Sequence, residues 1–339
     1  MLHDDLPLSS MKIILITGAT GFLGQHLVEQ LKAQENGTTL RLLCRGGTRF
    51  EGETRIETAR GDITRAEDVL RAAQGVSEIY HLAGIVSRNP ADQEILYRTH
   101  IEGARHICEA AQKCGASKVV MVSSSGTIAV GHEPIAYNEE SDYKNEIVAE
   151  WPYYLSKIFA EKLALDFARR YPLPIVVVNP SLILGPGDDR LSSTGDVALF
   201  LEGQILAIPR GGLNFVDARD AASGLIAAMR HGRPGERYLL GGANWTFREL
   251  IENVARLSRR PVPKFEPSLK LSLWSARLFR RLFPLVGKSF RLDDASIKMS
   301  ALFWYCDSTK ARKELNFGTR DPLETLRDTV EDLRARLRT

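Results

Sequence analysis

The feature that most limits the folds open to this 339-residue chain is a glycine loop set between an apolar run and a helical pattern. Ile13-Ile14-Leu15-Ile16 is apolar at every position, as in a parallel strand covered on both faces. Thr17-Gly18-Ala19-Thr20-Gly21-Phe22-Leu23-Gly24 follows at once, and helical spacing runs over residues 22–31. Glycine-rich turns also serve purely structural ends. Between a strand and a helix, though, three glycines let backbone approach a pyrophosphate while the helix N-terminus offers N–H groups and partial positive charge. The spacing here is Gly-x-x-Gly-x-x-Gly, not the Gly-x-Gly-x-x-Gly of the usual dinucleotide fingerprint.

The rest of the chain repeats the alternation. Strand-like runs occur at 40–44, 79–83, 118–123 and 175–178, with helical patterns at 94–114 and 153–170. That order predicts an α/β fold: a Rossmann-type, doubly wound parallel sheet with helices on both faces, over residues 11–180. Residues 181–339 read as a smaller α/β substrate-binding lobe, with some segments returning to the first domain. Within it, 188–213 is Gly-rich and irregular, Thr246-Phe247-Arg248-Glu249 is a capping box, and Asp321-Pro322-Leu323-Glu324 opens a second helix. Residues 1–10 carry Asp4 and Asp5 and no apolar run, and read as a disordered leader, not a signal peptide.

Bulk chemistry removes several function classes. A net charge of +3, with no Lys/Arg cluster among aromatics, leaves no footprint for nucleic acid. The 4 cysteines form no Cys-x-x-Cys pair and no His cluster has metal spacing, so no metal site is expected and a reducing cytoplasm suits the thiols. No apolar stretch is long enough to span a membrane.

Three further features carry chemistry. The second strand ends in Cys44-Arg45, with Arg41 and Arg49 near and no acid competing; an Arg there suits a 2′-phosphate where an acid would suit a ribose hydroxyl. A surface role is its plain alternative. Val120-Met121-Val122-Ser123-Ser124-Ser125 brings hydroxyls to a strand's carboxyl end. Tyr153 and Lys157 stand four apart, hence on one helical face, where an ammonium beside a phenol is expected to lower the phenol's pKa.

In this combination and order the chain resembles the extended short-chain dehydrogenase/reductases, the NAD(P)-dependent epimerase/dehydratase superfamily. The similarity runs from Met11 to about residue 337 and includes His81-Leu82-Ala83-Gly84, Asn179-Pro180-Ser181, Gly185-Pro186-Gly187-Asp188 and Asp307-Ser308-Thr309-Lys310-Ala311. The resemblance implies Tyr153 as general acid/base, Lys157 as the ribose-binding lysine and Ser125 as the hydroxyl on the substrate oxygen, with Ser123 and Ser124 as packing and turn residues. For the cofactor it implies Gly18, Thr20, Gly21, Phe22, Leu23 and Gly24 at the phosphates, and Arg45, Asp62 and Ile63 toward the adenosine. Leu82, Ala83 and Gly84 then line the cofactor, and Pro180 flanks the nicotinamide. One departure stands at His100, where the family usually carries Asn; packing is the expected role.

Within the family the chain is similar to dihydroflavonol and aldehyde reductases at Arg45 and at Asn179-Pro180-Ser181-Leu182. It is similar to proteins labelled hopanoid-associated sugar epimerases over residues 232–242. A 4,6-dehydratase needs Thr-Asp-Glu where Ser125-Gly126-Thr127 stands. The expected activity is therefore NADP(H)-dependent reduction of a small-molecule carbonyl, NADP(H) being preferred over NAD(H). A nucleotide-sugar epimerase and a non-catalytic NADP-binding sensor are the alternatives. Trp151, Tyr154 and Phe200 suggest an apolar pocket and equally suit a core. Members of the family pair through the two long helices, which implies a homodimer.

Residues 268–292 form a basic amphipathic pattern. Leu271, Trp274, Leu278 and Leu282 recur at helical spacing with Phe279 and Phe283 alongside, Lys270, Arg277, Arg280 and Arg281 lie between, and Pro284 ends the run. The expectation is a helix whose apolar face closes the substrate crevice. Peripheral contact with an anionic membrane, which suits a lipophilic substrate, is the alternative.

Overall fold

Alternating burial along the apolar runs builds the fold. In the computed structural model, which describes residues 12–35, 37–282, 284 and 292–337, Ile14 and Ile16 face one side of a sheet and Leu15 the other. The chain runs β1 (Ile13–Thr17), α1 (Phe22–Gln34), β2 (Thr39–Cys44), β3 (Ile56–Arg60), α2 (Ala66–Ala73) and β4 (Glu78–His81). It continues through α3 (Gln93–Tyr97), α4 (Gly103–Cys114), β5 (Lys118–Val122), α5 (Pro152–Arg170), β6 (Ile175–Pro180) and β7 (Leu182–Leu184). Then come α6 (Gly195–Leu201), β8 (Gly212–Asp217), α7 (Ala218–His231), β9 (Arg237–Leu240), β10 (Ala243–Thr246) and α8 (Phe247–Ser258). The last elements are α9 (Leu269–Leu282), α10 (Asp294–Met299), β11 (Phe303–Trp304), α11 (Thr309–Leu315) and α12 (Pro322–Leu337).

Seven parallel strands form the main sheet in the order β3-β2-β1-β4-β5-β6-β9. The connections reverse direction between β1 and β4, so a crevice opens at their carboxyl ends, where such sheets bind ligands. On one face Leu27, Val28 and Leu31 of α1 meet Ala221, Leu225 and Ile226 of α7; on the other, α2, α4 and α5 cover Leu15, Ile79, Val119 and Val177. β9, α7 and α11 thus return to the first sheet from the second half of the chain.

The second lobe is organised on β8, whose six residues are all buried and which pairs with β7, β10 and β11. Thr246 closes its capping box with Glu249 at the start of α8, and the Asp321 carboxylate accepts the Leu323 N–H ahead of α12. Two expectations are corrected here. The stretch 188–213 holds α6, anchored by Asp188, whose carboxylate accepts bonds from Ser192, Ser193 and Thr194. And α9 turns the other way: its buried residue is Ala276, while Leu271, Trp274, Leu278 and Leu282 face solvent. Helix α9 packs on α10 with Ala276 buried and Leu273 and Phe279 half-buried, which leaves the other apolar side outward. The 1–10 leader, Phe283 and residues 285–291 lie outside the described residues.

Candidate active site

The glycine loop is shaped by contacts that exclude side chains. Gly18 has φ +77°, and a Cβ there would stand 2.7 Å from the Ala83 N; one at Gly24 would stand 2.1 Å from the Gly18 carbonyl oxygen. Helix α1 begins on Gly21 with no side-chain cap and no acid in its first turn. Its first N–H groups therefore point out unclaimed by side chains, an anion site by construction. Phe22 and Leu23 are buried, so only their backbone is available there.

Thr17 ties the strand ends together. Its hydroxyl accepts the Ala83 N–H at 3.2 Å and lies 2.7 Å from His81 Nδ1. Burial, and then Lys157, pushes His81 down to about 3, so the ring is neutral. Further out, Arg45 is exposed at the end of β2, where its charge acts on Asp62. Burial raises the Asp62 pKa, but bonds from Thr64 and the charges of Arg45 and Arg98 outweigh it and hold the carboxyl low. Arg41 and Arg49 are occupied elsewhere, by Glu57 with the Ala72 and Gln74 carbonyls, and by Glu29 with the Phe50 ring. Among the three arginines, Arg45 alone makes no hydrogen bond to a described residue. The Ile63 side chain packs into the core beneath α2 and α4.

Tyr153 lies in the first turn of α5, which Pro152 starts, and its ring sits edge-on to His100 and Tyr154. Burial pushes its phenol up to about 12, and the Ser124 hydroxyl facing it pulls the other way. Ser124 is the hydroxyl that faces the phenol, while Ser125 is buried and opens a short 3-10 turn whose bonds end on Ile128 and Ala129. One expectation changes. The phenol is not lowered, because the Lys157 Nζ donates to the Val122 carbonyl at 3.0 Å instead. Burial brings Lys157 itself down to about 8, with Glu161 acting in the opposite sense.

His100 does more than fill space. It sits in a π-helical turn, 98–102, that interrupts what the spacing reads as one long helix. Its Nε2 accepts the Ile85 N–H at 3.1 Å, so its proton is on Nδ1 and is donated to Ser156 Oγ at 2.7 Å. Ser156 in turn donates to the Tyr153 carbonyl at 2.7 Å. A Cβ on Gly84 would stand 3.0 Å from His100 Nε2 and 3.4 Å from Lys157 Nζ, which measures how tightly these parts converge.

Glu161, Arg237, Arg88 and Trp304, which the sequence did not single out, stand beside residues that it did. Glu161 is fully buried one turn beyond Lys157 and gathers Ser123, Thr127, Tyr143, Asn179 and Arg237 around its carboxylate. Asn179 Oδ1 and Ser181 Oγ, on either side of Pro180, are buried with no hydrogen-bond partner among the described residues. The visible signal for these was a polar residue at the end of an apolar strand. Tyr154 stacks on Trp304 at 4.9 Å, and Arg88 clamps Asp196 through two bonds. Trp151 is buried beside that stack, and Phe200 belongs to the core of the second lobe.

Comparison with known proteins agrees with this geometry. Residues 14–241 match the model of the NAD dependent epimerase/dehydratase family. A putative dihydroflavonol 4-reductase of Synechocystis is 33% identical over 93% of this chain and 92% of its own length. Sterol demethylase protein B of Methylococcus capsulatus is 30% identical over 95% and 98%. Among solved structures, gox2253 superposes with a TM-score of 0.81 at 28% identity, covering 97% of this chain and 99% of its own.

Proposed function

The chain belongs to the NAD dependent epimerase/dehydratase family, and from that premise we propose that it is an NADP(H)-dependent oxidoreductase acting on the carbonyl of a small apolar molecule. One observation carries the reading: a phenol that stays protonated at neutral pH faces Ser124 at the carboxyl end of β5, with Lys157 one helical turn away. Tyr153 is then the general acid that protonates the carbonyl oxygen, while Ser124 hydrogen-bonds that oxygen and Ser125 backs it from the adjoining turn. Lys157, desolvated and near Gly84, suits the ribose of the cofactor, the role the resemblance implies for it.

The cofactor, when bound, supplies the hydride. The residues present fit it. The Gly18 and Gly24 cradle and the bare start of α1 suit a pyrophosphate, with Thr20 and Gly21 at the turn. Leu82, Ala83 and Gly84 form the adjoining strand end, and Asp62 and Ile63 the adenosine side. The unpartnered Asn179 and Ser181 atoms around Pro180 suit the polar edge of a nicotinamide. Arg45 suits a 2′-phosphate. Titrating both cofactors against protein fluorescence tests this last point. NADPH should bind about ten- to a hundredfold tighter than NADH, and Arg45→Ala should remove the difference. Equal affinities in the parent would overturn the NADP assignment.

The Tyr154–Trp304 wall favours an apolar substrate, in keeping with relatives named for dihydroflavonol and sterol chemistry. Ile95 on α3 and Phe159 on α5 are exposed, which supports a homodimer formed through these helices. The free cysteines suit a reducing cytoplasm.

A further inference from the structure

We infer that α9 is a docking surface for an anionic lipid membrane. At 3.6 residues per turn, Leu271, Trp274, Leu278 and Leu282 fall within a sector of about 80°. They are 52%, 63%, 38% and 44% exposed, so the sector faces outward along its whole length of about 16 Å. Ala276, on the opposite side, is the residue the helix buries. Leu273 and Phe279 are half-buried beside Ala276 on the packed side, so the stripe of Leu271, Trp274, Leu278 and Leu282 is a second apolar face, presented to the surroundings.

Charge identifies the occupant. The helix carries Lys270, Arg277, Arg280 and Arg281 and no acidic residue, in a chain whose net charge is only +3. Arg280 and Arg277 lean on Asp294 of α10, at the root of the helix. Among the described residues neither Lys270 nor Arg281 meets a carboxylate. Lys270, Arg277 and Arg281 line one flank of the apolar stripe. Exposed leucines with a tryptophan, edged by cations, match the boundary between lipid headgroups and acyl chains, where Trp and basic residues both find favourable partners. Two copies of the chain are a poor occupant, since pairing this stripe would gather like charges from both helices with no helical acid to offset them.

The test is co-sedimentation of the full chain with vesicles of phosphatidylcholine containing about one third phosphatidylglycerol. Binding at low salt should exceed that to pure phosphatidylcholine by about tenfold and fall away at about 0.5 M salt. Trp274→Ser with Leu278→Ser, and separately Lys270→Glu with Arg281→Glu, should each weaken it by about tenfold while the circular dichroism spectrum and melting curve stay those of the parent. These positions are exposed, so folding is not at stake. A chain that stays in the supernatant at low salt overturns the inference. So does equal binding to uncharged vesicles, or undiminished binding by the Trp274/Leu278 variant. Loss of a dimer in that variant without vesicle binding by the parent would make the stripe a self-association surface instead, and also overturns it.

Discussion

At the scale of single residues the site is governed by burial more than by charge pairing. Tyr153 is pushed up to about 12 and Lys157 down to about 8 by the same cause acting on opposite charge types. His81 and His100 are likewise held neutral beside that lysine. Their titration has a defined sign. Unfolded histidine takes up a proton near 6.5 and the native His81 only near 3, so stability is present above 6.5 and is lost as pH falls through that window. Each such ring contributes a slope of about 1.4 kcal/mol per pH unit inside it. Between pH 6.5 and about 4, above the range of most carboxylates, His81→Asn should reduce the slope of urea-measured stability by about that amount. An unchanged slope would show that His81 is not the buried neutral ring described. The serine assignment is as open to measurement. Ser124→Ala should lower kcat about 10- to 100-fold, and Ser125→Ala by less; the reverse order would restore Ser125 as the substrate's hydroxyl. Tyr153, Lys157 and the glycines were legible in the sequence because their spacing is itself the constraint. Which of three adjacent serines meets the phenol was not, since that depends on where β5 stops and the 3-10 turn begins.

At the scale of elements, α5 is the axis of the site. Its first turn carries Tyr153, its second Lys157 and its third Glu161, each directed at the ends of β5 and β6. Glu161 and Arg237 form a buried pair, and cutting such a pair leaves an uncompensated charge. Glu161→Ala should therefore cost about 3–5 kcal/mol in urea denaturation; a loss under about 1 kcal/mol would contradict the network's structural role. The long apolar runs announced β1, β5 and β6, because a strand buried on both faces needs no partner to be read. β3, β7, β8, β9, β10 and β11 escaped. β7, β9, β10 and β11 are only two to four residues long, and β8 is a strand through its pairing with β7, β10 and β11, well apart from it in the chain. The π turn at 98–102 escaped too, for helical spacing continues through it almost unbroken.

At the scale of the whole molecule, exposed apolar side chains on α3, α5 and α9 carry two of the proposals. Ile95 and Phe159 lie on the helices proposed to pair. Phe159→Asp should convert a dimer to a monomer in sedimentation equilibrium, and a parent of monomer mass at every concentration would remove the dimer. The α9 stripe faces out on its own. Isotope transfer reads out whether the enzyme reduces a carbonyl with Tyr153 as acid. Deuterium from labelled NADPH is followed into the alcohol product of an apolar ketone, for the parent and for Tyr153→Phe, with cofactor affinity measured alongside. Label should reach the carbinol carbon, and turnover should fall by roughly 10²–10⁴-fold in the variant with cofactor binding retained. Turnover within a few-fold of the parent in Tyr153→Phe, or NADPH consumed without label reaching the product, would contradict it.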